Sequence, residues 1–487
     1  MRNAISALLA ASSLASCAVP DLGPRPAPLA AAQVQTQTLA GGTGVWPRDE
    51  WWQSYADPQL SRLIAEGLKN APDLAVAAAR FRAASAAARE ARADLFPTVA
   101  AETTVDLVKQ TYNGGIPRTF IPKGWNETGI INLQLAWDLD PWGRNRAQAR
   151  AAMSEADAAA LELTQARLVL STGIADAYAE LVRLTAERDV SLATIALRSN
   201  TRRLVAERVA NGLDTQAELK QAVGAIPAAE ADLAATDEAI GLAKNRLAEL
   251  VGQGPGLSES IAAPPRLSGI QGIQGMPADV RTNLLARRPN IRAALARVEA
   301  AAARIKVART AFYPSLNITG LIGLQALGLD RVFKPGSTYG NASPAIGLPI
   351  FQGGALRARY RGARAEYDEA VSQYDATVIQ AFREVADVSV SRQALVERLS
   401  KSEAALVASR EAYDIAQLRY KGGLSTFLDV LTAQNAVLIN QRASAVLSTR
   451  AFALDVLLVR ALGGGFSSPT RAWPAEPSLL IKDKTRG

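Results

Sequence analysis

The feature that most constrains this chain is a register that holds twice. "RVANGLDTQAELKQAVG" at 208–224 and "RYKGGLSTFLDVLTAQN" at 419–435 place a Gly-Leu turn at the same point, 211 residues apart. The offset also holds upstream, where "GRNRAQARAA" (143–152) matches "GALRARYRGA" (354–363), and downstream at Val251-Gly252 and Leu462-Gly463. A spacing kept for some 110 residues without an insertion means that helix length itself is under constraint. A further match, "APDLAVAAARFRAASAAAREARADLFPTVAAET" (71–103) with "RPNIRAALARVEAAAARIKVARTAFYPSLNITG" (288–320), runs at an offset of 217. The chain is two copies of one pattern.

Each copy reads the same way. A short helix ends at Pro97 or Pro314, because the residue before proline is pushed out of helical geometry. An alternating stretch follows. In "GIINLQLAWDL" (129–139), Ile131, Leu133, Leu135, Trp137 and Leu139 fall on one face, and Asn132, Gln134 and Asp138 on the other. Leu316 and Ile318 begin the same alternation in the second copy. Period two with one apolar face fits a half-buried sheet or a membrane barrel wall. Four strands cannot close a barrel, since the smallest membrane barrels have about eight, so edges lying in lipid would have to be satisfied by other copies of the chain.

The long helices are the stronger signal. From Arg144 to Asn211 there are 68 residues without a proline, roughly 100 Å of helix at 1.5 Å per residue. The return helix covers about half that distance, and the missing half is expected from the short helix of the other copy, 289–313 above 215–250 and 73–96 above 426–462. The expected organisation is a signal peptide at 1–16, a lipidated segment at 17–50, and a first repeat at 51–252. That repeat holds a β-hairpin at 98–139, a long helix at 144–211, a tip at 212–214 and a return helix at 215–250. A Gly/Pro/Ser-rich linker at 253–276 leads to the second repeat, 277–463. Its parts are a hairpin at 315–350, a long helix at 355–421, a tip at 422–424 and a return helix at 425–462, before a tail at 464–487. The fold class is mainly α with a small β part: long antiparallel helical hairpins plus four strands.

Composition removes whole classes of chemistry. The chain has no histidine, which excludes His-based acid–base catalysis, His-containing triads and His metal sites. Its single cysteine, Cys17, excludes internal disulfides and Cys-rich zinc sites. The net charge of +8 is spread through Ala-rich helices between Glu and Asp, which fits solvated helical faces and no nucleic-acid partner. "GGTG" (41–44) and "LGGGF" (462–466) lack the strand, lysine and helix start of a phosphate loop. No cofactor is implied. "MRNAISALLAASSLASC" combines a basic start, a short apolar run and small residues, as a cleaved secretory signal does. Its Leu-Ala-Ser-Cys end resembles a lipoprotein lipobox, making Cys17 the site of lipid attachment, palmitate included.

With these residues in view the chain resembles the TolC-like outer membrane efflux proteins, in particular their lipidated NodT- or OprM-like branch. The carriers are "WWQSYADPQLSRLIAEGLKNAPDL" (51–74), "WDLDPWGRNRAQARAA" (137–152), "PIFQGGALRARYRGA" (349–363) and both Gly-Leu turns. The resemblance implies a homotrimer whose strands close a 12-stranded outer-membrane barrel and whose helices form a periplasmic α-barrel. It implies a passive duct taking substrates from an inner-membrane pump, of the resistance-nodulation-division type, through a periplasmic adaptor. Gly212, Leu213, Gly423 and Leu424 would be adaptor-contacting tips. Asp429 matches a ring aspartate at the tunnel entrance, and Thr432 stands where a second aspartate is usual, thinning that ring. Tyr420 and Glu218 match a hydrogen-bonded pair of the constriction, while Ser425 stands where some members carry an arginine link, so the mouth is expected to be loosely latched. Two other readings stay open from the sequence: a type I secretion duct, and a periplasmic scaffold lipoprotein that does not conduct. The alternating hairpins argue against the scaffold.

Overall fold

The structure, a computed structural model, describes residues 19–30, 33–34, 44–264 and 276–467; Cys17, the signal segment, part of the linker and the tail beyond 467 lie outside the described residues. The helices are α1 (Pro58–Asn70), α2 (Pro72–Ala93), α3 (Arg144–Ala210), α4 (Gln216–Leu250), α5 (Gly256–Ser260), α6 (Val280–Arg287), α7 (Pro289–Thr310), α8 (Ala355–Lys421) and α9 (Phe427–Leu462). The strands are β1 (Thr98–Val108), β2 (Asn126–Asp138), β3 (Ser315–Leu327) and β4 (Thr338–Gly347). Two compact units emerge, and they do not follow the sequence repeats. One comprises Met1–Pro28, Ala78–Leu161 and Ala293–Ala376; the other comprises Leu29–Ala77, Glu162–Arg292 and Thr377–Gly487. Each draws on both repeats.

In the first unit the two hairpins form one antiparallel sheet in the order β1-β2-β3-β4. The register fixes its two faces, because directly paired residues point the same way and successive residues alternate. Val99 pairs with Leu135, Leu133 with Ile322, Ile131 with Leu324, Trp137 with Ile318, and Leu316 with Ile346. These make one face apolar across all four strands. The other face carries Glu102 opposite Asn132, Asp138 opposite Asn317, and Thr319 opposite Ser343, and Gln134 Nε2 donates to Glu102 Oε2 at 2.6 Å. The edge strands β1 and β4 are exposed along nearly their whole length.

The second unit has a conventional hydrophobic core. Trp51, Trp52 and Tyr55 pack edge to face and meet Leu60, Leu63, Ile174, Leu181 and Val459. Polar pins tie the same segment down. Asp57 caps α1 through Gln59 N and Leu60 N and accepts the Tyr178 hydroxyl at 2.6 Å. Tyr55 donates to the buried Asp455 at 2.7 Å, and Arg392 reaches Asp455 at 3.3 Å.

The ends of the return helices correct one expectation. Gly252 follows α4 with φ 77°, and a Cβ there would lie 2.7 Å from the Asn70 carbonyl oxygen. Gly463 follows α9 with φ 93°, and a Cβ there would overlap the Arg287 carbonyl. Glycine is required twice over, for the left-handed turn and for the close approach. Each return helix therefore ends against the residues just before Pro72 or Pro289, the start of the short helix of its own repeat. The pairing expected from the sequence, each return helix with the other copy's short helix, is reversed. Repeat periodicity reveals that two short pieces share a column but not which two.

Candidate functional site

The two helix tips lie in the second unit and share one backbone design. After α3, Gly212 N donates to Val209 O at 3.0 Å and Leu213 N to Arg208 O at 2.9 Å, with Gly212 at φ 71°. After α8, Gly423 N donates to Tyr420 O at 3.0 Å and Leu424 N to Arg419 O at 2.8 Å, with Gly423 at φ 72°. Both are left-handed glycine terminations that satisfy the last carbonyls of a helix. The next helix then starts on a capping box. Thr215 N donates to Glu218 Oε2 at 2.7 Å, and Thr426 N to Asp429 Oδ2 at 2.8 Å. The acid three positions after each threonine thus has a local duty first: it begins the return helix.

Beneath the tips lies a small core of Val205, Tyr413, Tyr420, Phe427, Val430 and Val437. A buried polar chain crosses it, with Gln434 Nε2 donating to Thr201 Oγ1 at 2.9 Å and Thr201 meeting the Tyr413 hydroxyl at 3.4 Å. It ties α3 to α8 and α9.

The tip regions are joined by a cluster of Tyr420, Asp214 and Arg208. Tyr420, 1% exposed, donates its hydroxyl to Asp214 Oδ2. Arg208 pairs with Asp214 (Nε to Oδ2, 2.9 Å), donates from Nη1 to the Tyr420 carbonyl at 2.6 Å, and lies over the Tyr420 ring at 4.3 Å. Burial and then the hydrogen bond to Asp214 push the Tyr420 pKa up, so it is a committed donor at neutral pH. The hydrogen bond to Asp214 raises Arg208 against the opposing effect of desolvation.

The Tyr420–Glu218 bond is not the one formed: Glu218 is turned onto its own helix start, and Asp214 takes the tyrosine. Ser425 is not part of the cluster, but an arginine is: Arg208 of the first tip joins Asp214 and Tyr420 within one chain. Ser425 Oγ instead donates to the Ala416 carbonyl at 3.4 Å. The repeat register held the signal, since Arg208 aligns with Arg419 and Asp214 with Ser425; the first tip alone carries the acid. Asp429 and Thr432 are exposed, and the Thr432 hydroxyl turns back to Leu428 O at 2.8 Å. Hydrogen bonds from the Thr426 backbone and side chain hold the Asp429 carboxyl below the usual aspartate range. Leu213 and Leu424 are 63% and 72% exposed.

The sequence matches the family described as outer membrane efflux protein over residues 63–253 and 280–464. The chain belongs to that family. It is similar to the multidrug resistance outer membrane protein MdtP of Shigella flexneri, 30% identical over 437 residues, covering 87% of this chain and 88% of that protein. It is also 30% identical over 481 residues to the outer membrane protein OprJ of Pseudomonas aeruginosa, covering 98% and 97%. Among solved structures, the outer membrane protein VceC of Vibrio cholerae superposes with a TM-score of 0.81 at 43% identity, covering 87% of this chain and all of that one. The outer membrane efflux family gives the long helical hairpins and the two-faced sheet a common purpose: the chain is an outer-membrane channel component of an efflux system.

Proposed function

We propose that three copies of this chain form a passive duct through the outer membrane, fed by a periplasmic adaptor and an inner-membrane pump of the resistance-nodulation-division type. The observation that carries the reading is the sheet: four strands of 10–13 residues, apolar on one face, polar on the other and open at both edges. A tilted strand needs about 9–11 residues to cross a bilayer. Open edges cannot stay unpaired in lipid, so the sheet must be continued by other copies. Aromatic residues bracket the band, with Trp137 and Trp142 towards the helices and Trp125 at the far end, as interfacial girdles do.

In this reading the tips are the periplasmic entrance. Leu213 and Leu424, with Gly212 and Gly423 shaping the turns, offer apolar contacts to the adaptor. Asp429 contributes one carboxylate to a ring on the axis, with Thr432 one turn above, and the Tyr420–Asp214–Arg208 latch holds the hairpins closed. The duct transfers no group and needs no cofactor. Cys17 carries a lipid anchor, a role supported by the segment after it, which is held on α8: Arg364 Nη1 donates to Gly23 O at 3.3 Å and the Tyr367 hydroxyl to Pro26 O at 3.0 Å. The deciding experiment is planar-bilayer conductance of the purified protein beside Asp429→Ala. Discrete channels that open wider in the variant place the gate at the ring. Silence of both forms at every voltage and salt concentration would leave a non-conducting scaffold as the better account.

A further inference from the structure

The two hairpin loops, 109–125 and 328–337, lie together at the end of the sheet away from the helices. They are well built: Gly328 N donates to Glu127 O at 2.7 Å, and the buried Val332 packs on Gly129 so closely that a Cβ there would come within 2.6 Å of it. The first loop contains Lys109, Arg118 and Lys123 and no acidic residue. The second adds Arg331, while Lys334 is matched by Asp330 at 2.8 Å. Lys109, Arg118, Lys123 and Arg331 are all exposed, and among the described residues none forms an ion pair; Asp330, near Arg331, is bonded to Lys334. Interleaved with them are Ile116, Phe120, Trp125 and Phe333, each exposed over more than half its surface. Exposed rings beside unpaired cations, at the rim of an apolar sheet face, match the chemistry of a headgroup boundary: rings settle at the interface, and cations meet phosphate just beyond it. Solvent alone, or a mouth that only passes solutes, gives no reason to expose three aromatic rings there.

We propose that these loops dock on the phosphorylated glycolipid of the outer leaflet, with Phe120, Trp125 and Phe333 at the acyl boundary and Lys109, Arg118, Lys123 and Arg331 on its phosphates. The inference rests on the reading that the apolar face lies in the outer membrane. Guanidinium groups suit the task, because they bind phosphate bidentately.

The test uses the full-length purified protein, inserted in phosphatidylethanolamine/phosphatidylglycerol vesicles carrying either bisphosphorylated lipid A or its dephosphorylated form. Bound lipid is read by recovery with the protein after detergent extraction. The wild type is expected to retain the phosphorylated form selectively, and K109Q/R118Q/K123Q/R331Q to lose that selectivity by about fivefold per charge removed. R410Q/R442Q, altered on exposed helical positions, should bind as the wild type does. Equal retention of the two lipid forms, or a quadruple variant that inserts and still selects lipid A, overturns the inference and leaves the duct reading intact. A changed ion selectivity with lipid retention unaltered also overturns it, and assigns the cations to the pore mouth. Failure of the wild type to insert in any vesicle removes both.

Discussion

Asp214 receives three donors, two from the Arg208 guanidinium and one from the Tyr420 hydroxyl, in a place where Arg208 and Asp214 keep only 12% and 7% of their side-chain surface. Removing one partner of such a group strands the others, and breaking a buried ion pair from one side costs about 3–5 kcal/mol. Asp214→Asn is therefore expected to loosen the tips and raise single-channel conductance severalfold. Glu218→Gln should do little, because glutamine also serves at the third position of a capping box. Bilayer recordings of the two variants side by side separate the latch from the cap, and a Glu218→Gln channel that opens as widely would restore the pairing first expected. Asp429 adds a pH prediction. The Thr426 hydrogen bonds depress its folded pKa below that of an ordinary aspartate, so the stability its cap contributes is present above the ordinary value and lost only as pH falls through the lower, folded one. The carboxylate stays charged throughout mild acidification. Block by divalent cations should thus be the same at neutral pH and at about pH 5, where ordinary aspartates remain ionised too, and must fade only in stronger acid. Relief of block beginning near pH 6 would point to another group.

At the scale of elements the sheet makes the sharpest statement. Ile322 and Gln134 sit on adjacent strands but opposite faces, since Ile322 pairs with Leu133 and Gln134 with Leu321. A lysine at Ile322 would stand in lipid, at a penalty of about 2–4 kcal/mol near the bilayer midplane. Ile322→Lys should sharply reduce membrane insertion, whereas Gln134→Lys, facing Glu102, should insert as the wild type does. Heat-modifiable migration of protein extracted from vesicles measures this directly, and equal insertion of the two variants would remove the two-face argument. Much of this level was legible in the sequence. The alternation at Leu133, Leu135 and Trp137 gave the face, Pro97 and Pro314 gave the helix ends, and the proline-free stretch of 68 residues from Arg144 to Asn211 gave a helix that ends one residue earlier, at Ala210. What stayed hidden was decided by contacts between distant segments. Which short helix follows which return helix depends on Gly252 meeting Asn70 and Gly463 meeting Arg287, and no local pattern encodes those meetings. The partner of Tyr420 depends on Glu218 being drawn to Thr215, a competition settled only in the folded tip. The compact units cut across the repeats for a related reason: the two hairpins complete one sheet, so each repeat leaves half of its hydrogen-bonding need to the other.

For the whole molecule, the unfinished edges are the decisive property. A single chain leaves β1 and β4 with backbone donors and acceptors unpaired on their outer sides, and a membrane offers them no water. Closure requires β1 of one copy against β4 of the next, repeated until the ring is complete. Two copies would supply eight strands, near the lower limit for a membrane barrel, and three would supply twelve. The count can be read covalently. One cysteine replacing Glu102 on β1 and another replacing Asn341 on β4, both on the polar face, lie on edges that face each other only between copies. Oxidation of a set of such doubly substituted proteins, with the β4 position moved along the strand to find the register, should give a ladder that stops at the trimer. Either cysteine alone should give no ladder. A ladder ending at the dimer would mean an eight-stranded wall and a narrower duct, and one that runs on without a limit would mean that the edges pair without closing. A sharp stop at three would make the open sheet of one chain a third of a closed wall.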